Sequence, residues 1–437
     1  MQKVSRKVVK PSNLPEVVVW YSIVCTYPAY FLGVQLTWVT VLATFLTGYL
    51  FRSWWNQTAE TPIAQKIKIS SAAWIWVIGV LVIEAALIVG HLDYNYGPLQ
   101  IIRSSFRNWY RSWALFALFI LIGHLDIRPK VIYRAVCILC LQCLVMIGIA
   151  ILANLVHLPQ ITYTIPFDIL CGSPERCTVE LIPTIPNVAS LNFDQDRLKL
   201  FAVWPTFLAL LGNLYFFLAL HEQERTWRWI GLISSVLMIV ASFARAATLC
   251  LPFIILAVWF LTNVIKPWLQ FTAGFSCFFA GLYSSTLLDW IKTFKQNFNS
   301  ARAGSSRVRA RIYQISLERW YNEAPIWGRG IGGEKGPTLI EHLPLGSHQT
   351  WIGILFAHGI VGCAGLASAF LYSFIELCVK AQSSEIARLG LSILLILFVG
   401  SLVDNIDFFA YLFWPGLIML GIAFKENLPT PKRVEMT

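Results

Sequence analysis

The chain has 437 residues, of which 57% are hydrophobic and only 13% charged, against about 25% charged in soluble domains. A mean hydropathy of +0.63 excludes a string of soluble domains and a disordered chain, and ten cysteines are too sparse for a disulfide-dense secreted scaffold. The net charge of +11 would point to nucleic acid in a soluble protein; here the placement of the bases matters more, and no nucleic-acid partner is expected.

The basic opening Met1–Pro15 leads into an apolar stretch without a small-residue cleavage site, so no cleaved signal peptide is expected. Twelve apolar segments follow: Leu14–Gly33, Val34–Phe51, Ser71–Leu92, Tyr110–Gly123, Val131–Ala153, Leu200–Leu220, Trp229–Phe243, Thr248–Ile265, Pro267–Leu288, His348–Leu377, Ile386–Leu402 and Phe408–Phe424. About 20 residues span the hydrocarbon core as a helix, and no strand-length alternation competes. The expected fold is an all-α polytopic membrane protein. About 12 transmembrane helices make one integral membrane domain over residues 1–437.

Positive charge sets the orientation. With both termini cytoplasmic, the inner segments hold 18 of the 34 Lys and Arg residues, and nine of the remaining 16 sit in one outer loop, 289–347. That loop is the anomaly. Within it Val308–Glu323 has the pattern of an amphipathic helix, with Ile312, Ile315, Leu317 and Trp320 apolar and arginines elsewhere. The other long outer loop, 154–199, carries Cys171 and Cys177 among five prolines. Two cysteines six apart facing an oxidising compartment are candidates for a disulfide. Cys137, Cys140 and Cys143 share a helix face, but no His or acid at matching spacing supports a metal site.

Three stretches carry candidate chemistry. Arg245 interrupts two apolar spans in Ser242-Phe-Ala-Arg-Ala-Ala, either as a topology anchor or as a functional ion at the membrane face. Arg307, Arg309 and Arg311 lie on the amphipathic helix, followed by Pro325-Ile-Trp-Gly-Arg-Gly-Ile-Gly332. Guanidinium groups make planar two-point contacts with phosphate oxygens. The glycine run is a weak phosphate-loop signal, since no Gly-Lys-Ser/Thr follows. Finally, Leu345-Gly-Ser-His348-Gln-Thr-Trp places a histidine where the long loop re-enters the membrane. His is the side chain best suited to take a proton near neutral pH.

The order of these motifs, Arg-Ala-Ala opening a span, the outer Arg-x-x-Ile-Tyr helix ending in Pro-Ile-x-Gly-x-Gly, and then His followed by Gly359 and Gly362, resembles the O-antigen ligase and O-antigen polymerase superfamily of integral membrane glycosyltransferases. Arg197-Leu198 and Trp204-Pro205 fit a weaker upstream block, and the resemblance covers roughly Arg197 to Gly365. It implies an enzyme of the bacterial inner membrane with its active site on the periplasmic face. That enzyme moves a glycan from an undecaprenyl-pyrophosphate carrier to an acceptor sugar hydroxyl, on lipid A-core or on another glycan, without cofactor or metal. The resemblance further implies that Arg245 and Arg309 hold the pyrophosphate, with Arg307 and Arg311 as near alternatives, and that His348 is the base. Two departures, Gln349 for the usual Asn and Ala357 at a frequently acidic position, fall on the acceptor side. Ligase-type transfer is favoured slightly over polymerase-type. A flippase for lipid-linked oligosaccharide is the rival outside enzyme chemistry, disfavoured because the chain lacks paired halves.

Overall fold

A computed structural model describes residues 9–58, 66–165, 177–183, 197–300, 303–331, 336 and 344–426. They are mostly helical. In chain order the helices are α1 (Leu14–Val24), α2 (Thr26–Phe31), α3 (Gln35–Trp55), α4 (Ser71–Asp93), α5 (Pro98–Ser104), α6 (Ala114–Ile122), α7 (Pro129–Leu155), α8 (Pro205–Leu220), α9 (Arg225–Ala241), α10 (Arg245–Asn263), α11 (Pro267–Leu282), α12 (Ser284–Ser300), α13 (Ala303–Glu323), α14 (Thr350–Lys380), α15 (Glu385–Val403) and α16 (Ala410–Lys425). A π-helical segment, Ser105–Trp113, joins α5 to α6 without a break, and a 3₁₀ turn, Ile406–Phe409, leads into α16.

Starts follow local chemistry. Pro occupies the first turn of α1, α5, α7, α8 and α11, where its missing N–H costs nothing. Ser70, Gln349 and Ser384 cap α4, α14 and α15 with their side-chain oxygens.

All twelve apolar segments are helical, but among the described residues six helices are long and apolar enough to cross a membrane, α4, α7, α10, α14, α15 and Ile406–Lys425. A seventh arises if the bent pair α11–α12 counts as one span. The expected unbroken span Pro267–Leu288 is therefore corrected: helix ends at Leu282, and the chain turns by 83° before α12. The segment expected from Tyr110 instead starts at Pro98 and passes through the π turns.

The connections gather at two ends. At one end Asn13 Nδ2 donates to the Asp126 carbonyl at 2.7 Å, Arg128 pairs with buried Glu16, and Ser70 Oγ meets His124 at 3.0 Å. Arg134 pairs with Glu222 at 2.8 Å and Gln382 donates to the Leu261 carbonyl at 2.9 Å at the same end. At the opposite end lie Tyr94, Arg329, His348 and Asp404, and the two-stranded ribbon of β1 (Thr162–Thr164) and β2 (Thr178–Glu180). The ribbon packs Ile165, Cys177 and Val179 over Tyr30 and Phe31. Cys177 is disulfide-bonded; Cys171, its expected partner, lies outside the described residues. Cys137, Cys140 and Cys143 are buried free thiols packed in the bundle.

The helix pair α4–α14 forms the most extensive contact. It closes because Gly79 and Gly365 face each other: a Cβ on Gly79 would stand 2.6 Å from the Gly365 carbonyl oxygen, and one on Gly365 2.9 Å from that of Gly79. Small residues let backbones approach where lipid offers no hydrophobic drive. Trp76 adds an indole bond to Ser373 Oγ at 2.8 Å.

α14 is broken at Gly359, which adopts φ 61° and ψ −166°. Backbone groups freed inside a bilayer cost several kcal/mol each if left unpaired. The segment Pro325–Gly330 fills the break. Ile360 N–H donates to the Pro325 carbonyl at 3.0 Å and Val361 N–H to Ile326 at 3.2 Å; Arg329 N–H reaches the Phe356 carbonyl at 3.1 Å and Gly330 N–H that of Ala357 at 2.8 Å. Gly328 and Gly330 also have positive φ, 72° and 74°.

Replacing Gly359 or Gly328 with Ala should cost at least about 2 kcal/mol, since a left-handed residue also gains a Cβ that meets the facing backbone. Gly48→Ala, where a Cβ meets nothing within 4 Å, should be neutral or mildly stabilising. Thermal unfolding in detergent compares the three. Mass mapping without reductant is expected to recover Cys177 linked to Cys171; a Cys177 bridge to any other thiol would correct that pairing.

Candidate functional site

The site forms where α13 docks on the first turns of α14. Ile312 is fully buried against Leu345 and Phe356, with Val308 and Ile315 flanking. Ser316 Oγ accepts from Gly346 N–H at 2.9 Å. Leu317, expected on the apolar face, is exposed instead; the helix is rolled so that residues 308, 312 and 316 face the bundle.

That roll separates the arginines. Arg307 and Arg311, four apart, share the exposed face. Arg311 Nη1 donates to Gln314 Oε1 at 2.7 Å, and Gln314 passes on to Glu318 at 2.8 Å, a solvent-side chain of contacts. Arg309 is half-buried on the inner face, with Tyr313 one turn on. Tyr313 Oη donates to the His348 carbonyl at 2.8 Å, holding a backbone whose φ is 66°. Left-handed backbone at a non-glycine residue persists only where the surroundings impose it.

Asp404 completes the group. It caps the C-terminus of α15, and its carbonyl accepts from Thr350 Oγ1 at 2.8 Å. Thr350 Oγ1 in turn accepts from Ile406 N–H at 3.0 Å. Asn405 Nδ2 reaches the Gly346 carbonyl at 3.3 Å. The corner after α15 is thus stitched to the residues on both sides of His348.

Burial lowers the His348 pKa from the ordinary imidazole value; the Asp404 carboxylate opposes this, and the Arg309 charge reinforces it. Burial raises the Asp404 carboxyl, while the Asn405 N–H, His348 and Arg309 pull it down. Burial also raises the Tyr313 hydroxyl, against Arg309. Three charged or titrating groups from three separate segments therefore sense one another. The arrangement favours a neutral imidazole beside a fixed cation, which suits proton acceptance near an anionic ligand.

Arg245 is the first residue of α10, after a turn in which Ser242 Oγ accepts from Ala244 N–H at 3.3 Å. A cation at a helix N-terminus opposes the helix dipole, and an anion bound there relieves that opposition. α10 packs on α15 with their other ends tied by the Gln382–Leu261 bond. Running antiparallel, they bring Arg245 to the end of the bundle that holds Asp404.

The described glycines of the run, Gly328 and Gly330, do not cradle a phosphate. The N–H groups of Gly328, Arg329 and Gly330 are all spent on backbone carbonyls. The Arg329 side chain pairs with Glu323 and lies over the Tyr94 and Phe356 rings at 5.2 and 5.9 Å. His358, just before the break, is buried edge-on to Trp113, inside the clasp and away from the loop surface. Asp404 carries no motif, being one of two acids in the short joint Asp404–Asp407 between apolar spans; the Thr350 and Asn405–Gly346 contacts reveal it.

A helical membrane bundle, with an arginine helix and a histidine meeting at one end, is the class the fold and site define. Residues 230–367 match the family model described as O-antigen ligase, so the chain carries a domain of the O-antigen ligase superfamily. The match includes Arg245, Arg309 and His348, and stops short of Arg197 and of Asp404. No curated protein matches the chain. The family indicates a multi-pass membrane protein with a glycosyltransferase-type role in polysaccharide assembly.

Asp404→Asn separates electrostatics from scaffolding. Activity that needs neutral His348 falls as pH drops through its pKa, which lies below about 6.5. Removing the carboxylate removes the only one of the three influences on His348 that raises that pKa. The acid limb of the pH–rate profile should move to lower pH, while the backbone ties of residue 404 persist. An acid limb that stays put would dissociate Asp404 from His348.

Proposed function

We propose that the protein transfers a glycan from an undecaprenyl-pyrophosphate carrier to a sugar hydroxyl of a membrane-associated acceptor, with the O-antigen ligase type of transfer. The observation that carries this reading is the meeting of Arg309 and His348, both within the O-antigen ligase match, with Asp404 from a third segment beyond it. In this reading the twelve apolar segments all cross, and the excess of basic residues in the segments at the Arg128 end supports cytoplasmic termini and a periplasmic site.

In this mechanism Arg309 and Arg245 hold the pyrophosphate. The acceptor oxygen attacks the anomeric carbon from the face opposite the phosphate, so the configuration inverts. The new carbon–oxygen bond forms as the bond to phosphate oxygen breaks, and its electron pair leaves with the pyrophosphate. Fixed guanidinium groups stabilise that developing charge. Neutral His348 takes the hydroxyl proton, a contribution typically worth 10²–10⁴-fold, and Asp404 stabilises the imidazolium that forms. Arg307 and Arg311 are outside this set, because their exposed face turns from His348.

Purified protein with lipid-linked donor and acceptor tests the assignment in single turnover. Arg245→Ala and Arg309→Ala should weaken donor use, with Lys restoring it in part because Lys lacks the planar fork. His348→Ala should bind donor yet transfer it about 10²-fold or more slowly. Wild-type transfer in His348→Ala would remove it as the base. Donor that crosses a bilayer without glycan transfer would favour a flippase. Chains that grow at the lipid-linked end, with no attachment to a second lipid, would favour a polymerase.

A further inference from the structure

α8 touches both helices that meet at Arg245, and it does so through two consecutive residues. Gly212 lies against α9: a Cβ there would stand 2.8 Å from Ile239 Cγ1 and 2.9 Å from the Ser235 carbonyl oxygen. Asn213, the next residue, faces α10. It is fully buried, and its Nδ2 donates to the Ala209 carbonyl of its own helix at 2.8 Å and to the Ala247 carbonyl at 2.9 Å. The close approach that glycine allows sets how far the neighbouring amide reaches.

Ala247 stands two residues after Arg245, in the first turn of α10. That helix has a narrow hold on the bundle. Its buried residues are Ala247, Cys250 and Ile254, a stripe on one face. Pro252 lacks an N–H, so the bond from residue 252 to the Thr248 carbonyl is missing. The turn that carries Arg245 is therefore less firmly joined to the rest of its helix. On the other side of Arg245 the chain is braced. Ser242 Oγ donates to the Ile239 carbonyl at 2.7 Å, and Phe243 takes a left-handed φ of 49°, which persists only where the surroundings impose it. Arg245 thus lies between a turn that rests on α9 and a helical turn that rests on Asn213.

Asparagine is a poor choice here for stability alone. Its Oδ1 is buried without a hydrogen-bond partner among the described residues. An orphaned acceptor costs free energy that an apolar side chain of similar size would not. The Ala247 carbonyl is in any case the acceptor for the N–H four residues on in the helix. What the amide adds is placement: it fixes the first turn of α10 against α8.

We infer that Asn213 is a positioning residue for Arg245, and that through the Ala247 carbonyl it sets where the guanidinium stands at the Asp404 end of the bundle. This rests on the donor-binding role proposed for Arg245 above. It puts control of donor geometry in a buried amide that touches neither donor nor acceptor.

The test uses the full chain in detergent or nanodiscs. Asn213→Leu removes the tie and the orphaned acceptor together, so the fold is retained; Asn213→Ala takes its place if the Leu variant does not assemble. Hydrogen exchange followed by mass spectrometry reads the geometry without turnover. The amides of residues 248–251, the first that bond within α10, should exchange about tenfold faster than in the wild type, with those of α15 unchanged. In single turnover the donor concentration for half-maximal rate should rise about fivefold or more, with acceptor KM unchanged. On an Arg245→Ala background, Asn213→Leu should add nothing further, because both act through one group. Unchanged exchange at 248–251 overturns the inference. So does wild-type donor use in Asn213→Leu, or a donor defect that multiplies with that of Arg245→Ala. Faster exchange in Asn213→Leu combined with wild-type donor use in Arg245→Ala would instead remove Arg245 from donor binding and leave the positioning of its turn standing.

Discussion

The break in α14 at Gly359 is the constraint on which the rest of the active end depends. A helix that crosses a membrane satisfies its own backbone, and one that breaks must find partners elsewhere. Here Pro325–Gly330 provides two acceptors for Ile360 and Val361 and two donors for Phe356 and Ala357. The same exchange pins the end of α13 to α14. Because α13 carries Arg309 and α14 begins two residues after His348, the repair of the helix also constrains how Arg309 and His348 sit relative to each other.

The clasp explains residue choices that look catalytic in isolation. Positive φ at positions 328, 330 and 359 requires glycine, so the glycine-rich string serves the backbone. Arg329 lies between Glu323 and two aromatic rings, fixing the strand-like insert against the loop after α4. His358 fills the space beside the break. A motif rich in glycine, arginine and histidine thus divides its work: Arg309 and His348 sense each other beside Asp404, and Gly328, Arg329, Gly330 and His358 keep the helix repaired.

Electrostatically this end concentrates cations and titrating groups. Arg245 opposes the dipole of its own helix, and Arg309 sits half-buried beside an imidazole that burial keeps toward its neutral form. Asp404 offsets part of this charge but is itself pushed toward neutrality by burial. At the opposite end of the bundle Arg128 pairs with Glu16 and Arg134 with Glu222.

The sequence by itself determined the helical membrane architecture, because twenty-residue apolar runs have no other stable form in lipid. The order of Arg245, Arg309 and His348 along the chain is likewise a one-dimensional pattern, readable before any folding, and it lies within the stretch 230–367 that matches the O-antigen ligase family model. The roll of α13 was decided only in the tertiary structure. Apolar residues at 312, 315, 317 and 320 allow more than one buried face, and docking against Leu345 and Phe356 selected 308, 312 and 316, which turned Arg309 inward and left Arg307 and Arg311 outside. The kinks were equally illegible: hydropathy averages over a window and does not register one left-handed glycine or an 83° bend at Tyr283. Asp404 entered the site from 56 residues downstream of His348 because α14 and α15 pack antiparallel, a relation that exists only once the chain has folded back on itself.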